Sequence, residues 1–275
     1  MELLFSIEEV NKRFDTSGSR PLLVHASDME FYICKYPYHS NDPKLLNEYL
    51  AYQFAKIWKL PIPEMKLIDL KREHLPEHML GMQLSYLSIE RPLIGSLQTE
   101  SVTELVDKFT AGYPSRVVSK FDKELLLKIA LFDIWLSNED RNTGNMNLLV
   151  NLESNVLTPI LIDNEKIFNS GSPFKPFVEI TYEDSLFYTL LFHRLFGTRN
   201  RRNNELFSEI EASLHSFCSL CVNQLSQIVE NIPDEWGYDK NLLLESLNRN
   251  LFSEEWIKIV RSTFLQFASL MTQKP

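Results

Sequence analysis

Asp140, Asn145 and Asp163 are the residues whose types and spacing point most directly to chemistry. Asn145 follows Asp140 by five positions in the polar stretch S-N-E-D-R-N-T-G-N, and Asp163 ends the apolar run P-I-L-I-D 18 positions later. Phosphoryl transfer from a nucleotide requires a carboxylate that orients the attacking hydroxyl, and a carboxamide and a second carboxylate that hold magnesium on the phosphates. The spacing therefore predicts a phosphotransfer site.

A solvated Asn/Asp/Gly turn explains the loop around Asp140 equally well when the loop is considered alone. Asp163 changes the balance, because an acid at the end of a buried strand must face a cleft, pair with a cation or bind a metal. The three residues together favour the phosphotransfer interpretation.

Lys35 lies inside the apolar run F-Y-I-C-K-Y, where strand alternation directs it to the same face as Ile33. A buried ammonium group needs a partner, and Glu48 on the following predicted helix is the natural candidate. This arrangement matches the lysine–glutamate pair that positions nucleotide phosphates. The alternative is a lysine in solvent on an edge strand, with Glu48 on the wet face of its helix.

The elements that must position these residues divide the chain into a strand-rich front and a helical rear. Residues 22–26 and 31–36 are predicted to form a hairpin, residues 44–59 a helix, and residues 64–70 and 79–86 two further strands. In the rear, helices are predicted over 122–137, 184–196, 204–230, 240–248 and 254–271, with strands at 146–150 and 159–163. The pattern predicts an α+β fold with two lobes.

The order of these motifs resembles the HipA-like kinase domains. The matching segments are T-S-G-S-R-P-L-L-V (16–24), Y-I-C-K (32–35), N-E-Y-L-A (47–51), L-P-I-P (60–63), D-I-W-L-S-N-E-D-R (133–141), N-M-N-L (145–148) and L-I-D (161–163). The resemblance implies a protein-kinase-like fold that binds ATP and Mg²⁺ between a small strand-rich N-lobe, residues 1–88, and a larger, mainly helical C-lobe, residues 89–275.

The resemblance also implies roles for individual residues. Asp140 would be the catalytic aspartate, Asn145 and Asp163 would hold Mg²⁺, Lys35 would contact the phosphates, and Glu48 would fix Lys35. The adenine would lie against the connection between the lobes, which is expected near Gln83, Ser85 and Leu87. A glycine-rich loop is reduced to Ser17, Gly18 and Ser19, where a serine could also be a site of regulatory phosphorylation.

Composition limits the other possibilities. The net charge of −9 argues against direct nucleic-acid binding. The sequence contains no run of about 18 apolar residues, so no membrane-spanning helix is predicted. The N-terminus lacks a signal-peptide pattern, so a cytoplasmic protein is expected. Cys218 and Cys221 form a C-x-x-C within a predicted helix without a second pair, which favours core packing over zinc binding.

Three functional hypotheses follow. The first is an ATP-dependent kinase that acts on a hydroxyl group of serine or threonine, for which the family resemblance alone implies an antitoxin-like partner. The second is a phosphatidylinositol-kinase-like or small-molecule kinase, because the D-R-x-x-x-N pattern is shared with that group. The third is a pseudokinase, a regulatory nucleotide-binding module, because the phosphate loop holds a single glycine.

Overall fold

A mixed six-stranded sheet forms the first part of the structure, a computed structural model that describes residues 1–15, 19–39, 42–81, 83–198 and 200–273. The strands are β1 (Leu3–Phe5), β2 (Lys12–Arg13), β3 (Leu22–His25), β4 (Phe31–Lys35), β5 (Met65–Asp69), β6 (Leu93–Leu97), β7 (Thr103–Glu104), β8 (Leu148–Val150) and β9 (Ile160–Leu161). The first six pair in the order β1-β5-β6-β4-β3-β2, and β7, β8 and β9 form a second, antiparallel sheet.

One helix lies between β4 and β5 of the first sheet, and helices account for most of the chain after that sheet. They are α1 (Lys44–Ile57), α2 (Asp107–Thr110), α3 (Ser115–Val118), α4 (Lys123–Trp135), α5 (Ile167–Ser170), α6 (Leu190–Phe196), α7 (Arg201–Glu230), α8 (Lys240–Asn250) and α9 (Glu254–Gln273). The predicted helices at 44–59, 122–137, 240–248 and 254–271 are confirmed. The helix predicted over 184–196 begins only at α6, where the Thr189 side chain accepts a hydrogen bond from the Phe192 N–H.

The strand predicted over residues 79–86 is wrong. Turns of 3₁₀ helix occupy Glu77–Met79 and Tyr86–Ile89, and Ser85 forms a capping box with Ser88 at the start of the second. The strand occurs later, as β6, which pairs with β4 and β5. The sheet therefore extends past residue 88, and the lobe division at 88–89 stays a prediction.

The glycine within β6 weakened the sequence pattern from which this strand could have been predicted. Gly95 lies opposite Cys34 in the sheet, and a Cβ at this position would lie 2.8 Å from the Ile68 Cγ1. The close approach of neighbouring side chains therefore requires glycine, a residue that is otherwise unfavourable inside a strand.

Helix α1 connects the sheet to the helical part because it is buried on most sides. At its C-terminal end Trp58 stacks on Trp135 of α4, with ring centroids 5.1 Å apart, and on Phe217 of α7 at 4.6 Å. Tyr49 donates a hydrogen bond to the Ile228 carbonyl, 2.8 Å away. These contacts fix α1, and with it the side chains of its first turns, relative to the rear of the molecule.

Candidate active site

Lys35, Glu48 and Asp163 meet where the first sheet, α1 and the second sheet converge. The Lys35 Nζ lies 2.5 Å from the Glu48 Oε1 and 2.5 Å from the Asp163 Oδ1. Lys35 ends β4, Glu48 lies on α1, and Asp163 follows β9. The ion pair that the sequence predicted between Lys35 and Glu48 is therefore present, and Asp163 joins it.

A third carboxylate, which the sequence analysis did not identify, also reaches this lysine. The Glu165 Oε2 lies 3.4 Å from the Lys35 Nζ and 3.8 Å from the Nζ of Lys44. Lys44 in turn lies over the ring of Tyr38, 3.6 Å from its centroid. We use the name Lys35 cluster for Lys35, Glu48, Asp163 and Glu165.

The charges of the Lys35 cluster alter the pKa values of its members. Burial alone would lower the pKa of Lys35, but Asp163, Glu48 and Glu165 outweigh it and raise that pKa. Burial raises the pKa of Glu48 despite the nearby ammonium group. Burial also acts to raise the pKa of Asp163, but Lys35 outweighs it and lowers that pKa. Lys35 is therefore charged at neutral pH.

Helix α1 also holds the backbone that carries two of these acids. The Asn47 Nδ2 donates to the carbonyls of Glu165, at 2.8 Å, and Gly171, at 3.0 Å. The Asn164 N–H donates to the Glu48 Oε1 at 2.8 Å. These hydrogen bonds hold the segment after β9 against α1. They also stabilise the left-handed backbone conformation of Asp163, whose φ is 53°.

The Asp140 loop, residues 138–147, is organised by carboxamides. The Oδ2 of Asp140 accepts hydrogen bonds from the Nδ2 of Asn145, at 3.1 Å, and of Asn147, at 3.3 Å. Its backbone N–H donates to the Asn138 Oδ1 at 3.2 Å. Burial, followed by the negative charge of Asp163, raises the pKa of Asp140. The Asn147 Nδ2 also lies 3.4 Å from the Asp163 carbonyl, which links the loop to the Lys35 cluster.

Arg141 is the fully buried cation of the Asp140 loop. Its Nε lies 2.9 Å from the Oδ2 of Asp133, a residue of α4. Burial raises the pKa of Asp133, against the opposing effect of Arg141. The sequence analysis included Arg141 in a family motif without assigning it a role. Its position directly after the candidate catalytic aspartate was the available signal.

The acidic groups of the Lys35 cluster have the chemistry of a magnesium site. Glu48, Asp163 and Glu165 each offer an oxygen, and these atoms lie within 4.8 Å of one another. Carboxylate and carboxamide oxygens are the ligands that Mg²⁺ prefers. The Glu165 Oε2 is buried and lies in ion-pair contact with Lys35 and Lys44, and it has no hydrogen-bond partner among the described residues. The predicted metal ligands, Asn145 and Asp163, stay a prediction.

The residues predicted to contact adenine stay a prediction. Gln83, Ser85 and Leu87 precede β6, whereas residues 98–102, after β6, connect the two sheets. Among the described contacts, none joins these three residues to the Lys35 cluster. Their selection as the connection between lobes followed from the incorrect strand at 79–86. Of the phosphate loop, Ser17 and Gly18 lie outside the described residues, and Ser19 is buried.

The remaining sequence features have structural roles. Cys218 and Cys221 are buried in α7, in agreement with core packing. Arg201 and Arg202 lie on exposed positions of the first turn of α7. None of the helices in the described ranges combines the length and hydropathy that a bilayer crossing requires.

A solved kinase structure is similar in fold to this protein. The structure is similar to the Helicobacter pylori proinflammatory kinase CtkA, with a TM-score of 0.57, 14% identity and 98% of each chain covered. Shewanella oneidensis HipA, solved in a complex with HipB and operator DNA, gives a TM-score of 0.49 at 14% identity, with 92% of this chain and 68% of that chain covered. No curated protein gives a significant match.

The α+β architecture, with a strand-rich sheet and a helical part, is the one that the sequence predicted and is similar to that of the CtkA structure. The family model described as HipA-like kinase matches residues 7–256, which is most of the chain. The protein therefore belongs to the HipA-like kinase family.

Proposed function

We propose that this protein transfers the γ-phosphoryl group of ATP to the hydroxyl group of a serine or threonine. The observation that carries the proposal is the convergence of Lys35, Glu48 and Asp163, joined through Asn147 to the loop of Asp140. A lysine held by a glutamate beside a metal-binding aspartate is the arrangement that phosphoryl transfer uses. Family membership supports the same class of reaction.

Lys35 would donate hydrogen bonds to phosphate oxygens in place of one of its carboxylate partners, with Glu48 keeping its position. Asp163 and Asn145 would hold Mg²⁺, whose charge offsets that of the phosphates. Glu165 is a further oxygen donor at the same place. These assignments rest on the donor chemistry and on the family resemblance.

Asp140 is arranged to receive the acceptor. Asn145 and Asn147 occupy its Oδ2, and among the described contacts its Oδ1 has no hydrogen-bond partner. The Oδ1 can therefore orient the acceptor hydroxyl and take its proton. The hydroxyl oxygen forms the new bond to the γ-phosphorus, the bond to the bridging oxygen breaks, and ADP leaves with that electron pair.

Incubation with γ-labelled ATP tests the proposal. Wild-type protein, alone and with cell lysate, should transfer label to protein, EDTA should stop the transfer, and added Mg²⁺ should restore it. Asp163→Asn should abolish transfer, whereas Asp69→Asn, at an exposed position that ends β5, should retain it. Undiminished labelling by Asp163→Asn would disprove the metal assignment, and nucleotide binding without transfer by the wild type would favour the regulatory module.

Three further parts of this proposal come from the sequence and the family resemblance. Gln83, Ser85 and Leu87 are retained as candidate nucleotide contacts, with residues 98–102 as the competing location because they connect the two sheets. An antitoxin-like partner and a cytoplasmic location follow from the resemblance and the composition. Vesicles containing phosphatidylinositol, offered as substrate with γ-labelled ATP, separate a lipid kinase from a protein kinase.

A further inference from the structure

We propose that Arg141, acting through Asn164 and Glu48, positions the phosphate-contacting lysine and thereby couples the Asp140 loop to the nucleotide site. The inference rests on the proposed function, since it concerns how the two halves of that site are aligned. Arg141 and Asn164 are positioning residues in this account, because neither is placed against the reacting atoms.

Arg141 has the contacts that this role requires. Its Nη1 donates to the carbonyl oxygens of Met146, at 3.3 Å, of Ile162, at 3.4 Å, and of Asn147. These carbonyls belong to the end of the Asp140 loop and to the segment between β9 and Asp163. A planar guanidinium group with five donors can hold several acceptors in one fixed geometry, which a lysine cannot do.

Asn164 carries the connection onward to α1. Its Oδ1 accepts a hydrogen bond from the Arg141 Nη2 at 2.7 Å, and its backbone N–H donates to the Glu48 Oε1 at 2.8 Å. The same Oε1 accepts from the Lys35 Nζ at 2.5 Å. A continuous path of hydrogen bonds therefore runs from Arg141 to the lysine.

The Asn164 side chain depends on Arg141 for its orientation. It is buried, and its Nδ2 has no hydrogen-bond partner among the described residues. The reverse orientation of the carboxamide would bring two donors face to face with the guanidinium group. Loss of the Oδ1 acceptor should therefore release the backbone of residue 164 and, with it, the carboxylate of Glu48.

Phosphoryl-transfer kinetics on matched variants test the path. Asn164→Ala should lower kcat about 10- to 100-fold while KM for ATP rises less than about threefold, because the lysine stays charged but is displaced. Asn164→Asp retains an oxygen that accepts from Arg141 and should recover kcat to within about threefold of wild type. The control is Asn203→Ala. Asn203 is a buried residue in the first turn of α7, and its Nδ2 donates a hydrogen bond to the Thr198 carbonyl, 3.1 Å away.

Asn203→Ala should lower the melting temperature without changing kcat. The proposal is overturned if Asn164→Ala has no larger effect on kcat than this control, or if Asn164→Asp restores nothing. Arg141→Lys combined with Asn164→Ala should be no slower than the worse single variant, because both changes interrupt one path. Additive losses in the double variant would contradict the path.

A second measurement separates this proposal from the function itself. If the wild-type protein transfers no label, the proposed function fails, and hydrogen exchange without nucleotide then tests the coupling alone. Asn164→Ala should speed exchange both in residues 138–147 and in residues 46–50 of α1, whereas Asn203→Ala should leave both unchanged. Faster exchange confined to the immediate neighbours of residue 164 would overturn the coupling.

Discussion

Two cations, the partly buried Lys35 and the fully buried Arg141, lie in adjoining parts of the site and are neutralised in different ways. Lys35 contacts three carboxylates, from Glu48, Asp163 and Glu165. Arg141 contacts one carboxylate, from Asp133, and otherwise donates to neutral carbonyl and carboxamide oxygens. The first cation lies in an excess of negative charge, and the second is balanced.

The difference separates a reactive region from a positioning one. The surplus of carboxylates around Lys35 suits a site for a divalent cation and a polyphosphate. The cation and the anionic groups offset each other's charge, which lowers the free-energy cost of burying them. Among the described residues, Arg141 has only one carboxylate partner, and its other N–H groups already donate to carbonyl and carboxamide oxygens of the protein. The guanidinium group therefore has no donor left for a ligand. Substitutions should therefore affect stability more at Arg141 and activity more at Lys35.

The largest effect on stability is expected from Asp133→Asn. It removes the charge that neutralises a fully buried arginine and turns a carboxamide donor toward it, so the free energy of unfolding should fall by about 3–5 kcal/mol. Chemical denaturation monitored by tryptophan fluorescence measures this, with Asp69→Asn as the exposed control. A loss no larger than that of the control would show that the carbonyl oxygens alone sustain Arg141.

Glu48→Gln should lower the free energy of unfolding less than Asp133→Asn does, although Glu48 is as buried as Asp133. Lys35 keeps Asp163 and Glu165 as partners, and burial already raises the pKa of Glu48, so the unfolding free energy should fall by about 1 kcal/mol or less. The rate of label transfer should nevertheless fall about tenfold or more, because Lys35 is no longer held from the α1 side. A stability loss as large as that of Asp133→Asn would remove the distinction between the two cations.

A smaller change, which depends on pH, is expected from Asp140→Asn. Burial and the charge of Asp163 raise the pKa of Asp140, so the ionised carboxylate is disfavoured in the folded state. Asparagine carries no charge and should stabilise the protein above that raised pKa. The gain should vanish as the pH falls below the unfolded-state pKa, where both forms are neutral.

Thermal unfolding of the wild type and Asp140→Asn across a pH series measures this gain, and label transfer should be lost in the same variant. A stabilisation that persists unchanged into acid would show that charge burial is not its cause. The Asp140→Asn variant should therefore be more stable but inactive, as expected when a functional carboxylate that lies beside another acid is replaced.

The smallest effect is expected from Leu87→Ala. Leu87 is 69% exposed, and no described contact joins it to the Lys35 cluster. Removal of an exposed side chain should leave the KM for ATP within about twofold of wild type. A larger rise would show that residues 83–87, rather than the connector at 98–102, receive the adenine.

Local sequence was enough to predict the Asp140 loop and the hairpin of β3 and β4. Asp140 and Asn145 are five residues apart, so any turn that brings them together is short, and the helix before them shows apolar periodicity. The same local argument failed at residues 79–86, whose two ends belong to separate 3₁₀ turns, Glu77–Met79 and Tyr86–Ile89. The strand appeared at β6, where neighbouring side chains require Gly95.

The amino-acid sequence by itself determined which groups are available: the candidate catalytic aspartate, the lysine–glutamate pair and the acid that follows β9. Tertiary structure alone decided that Glu165 joins Lys35 and that Arg141 reaches Asn164. Those contacts join residues from β4, from the loop before β8 and from the segment after β9. No periodicity along the chain encodes them, because they depend on how α1 packs between the sheet and the helices.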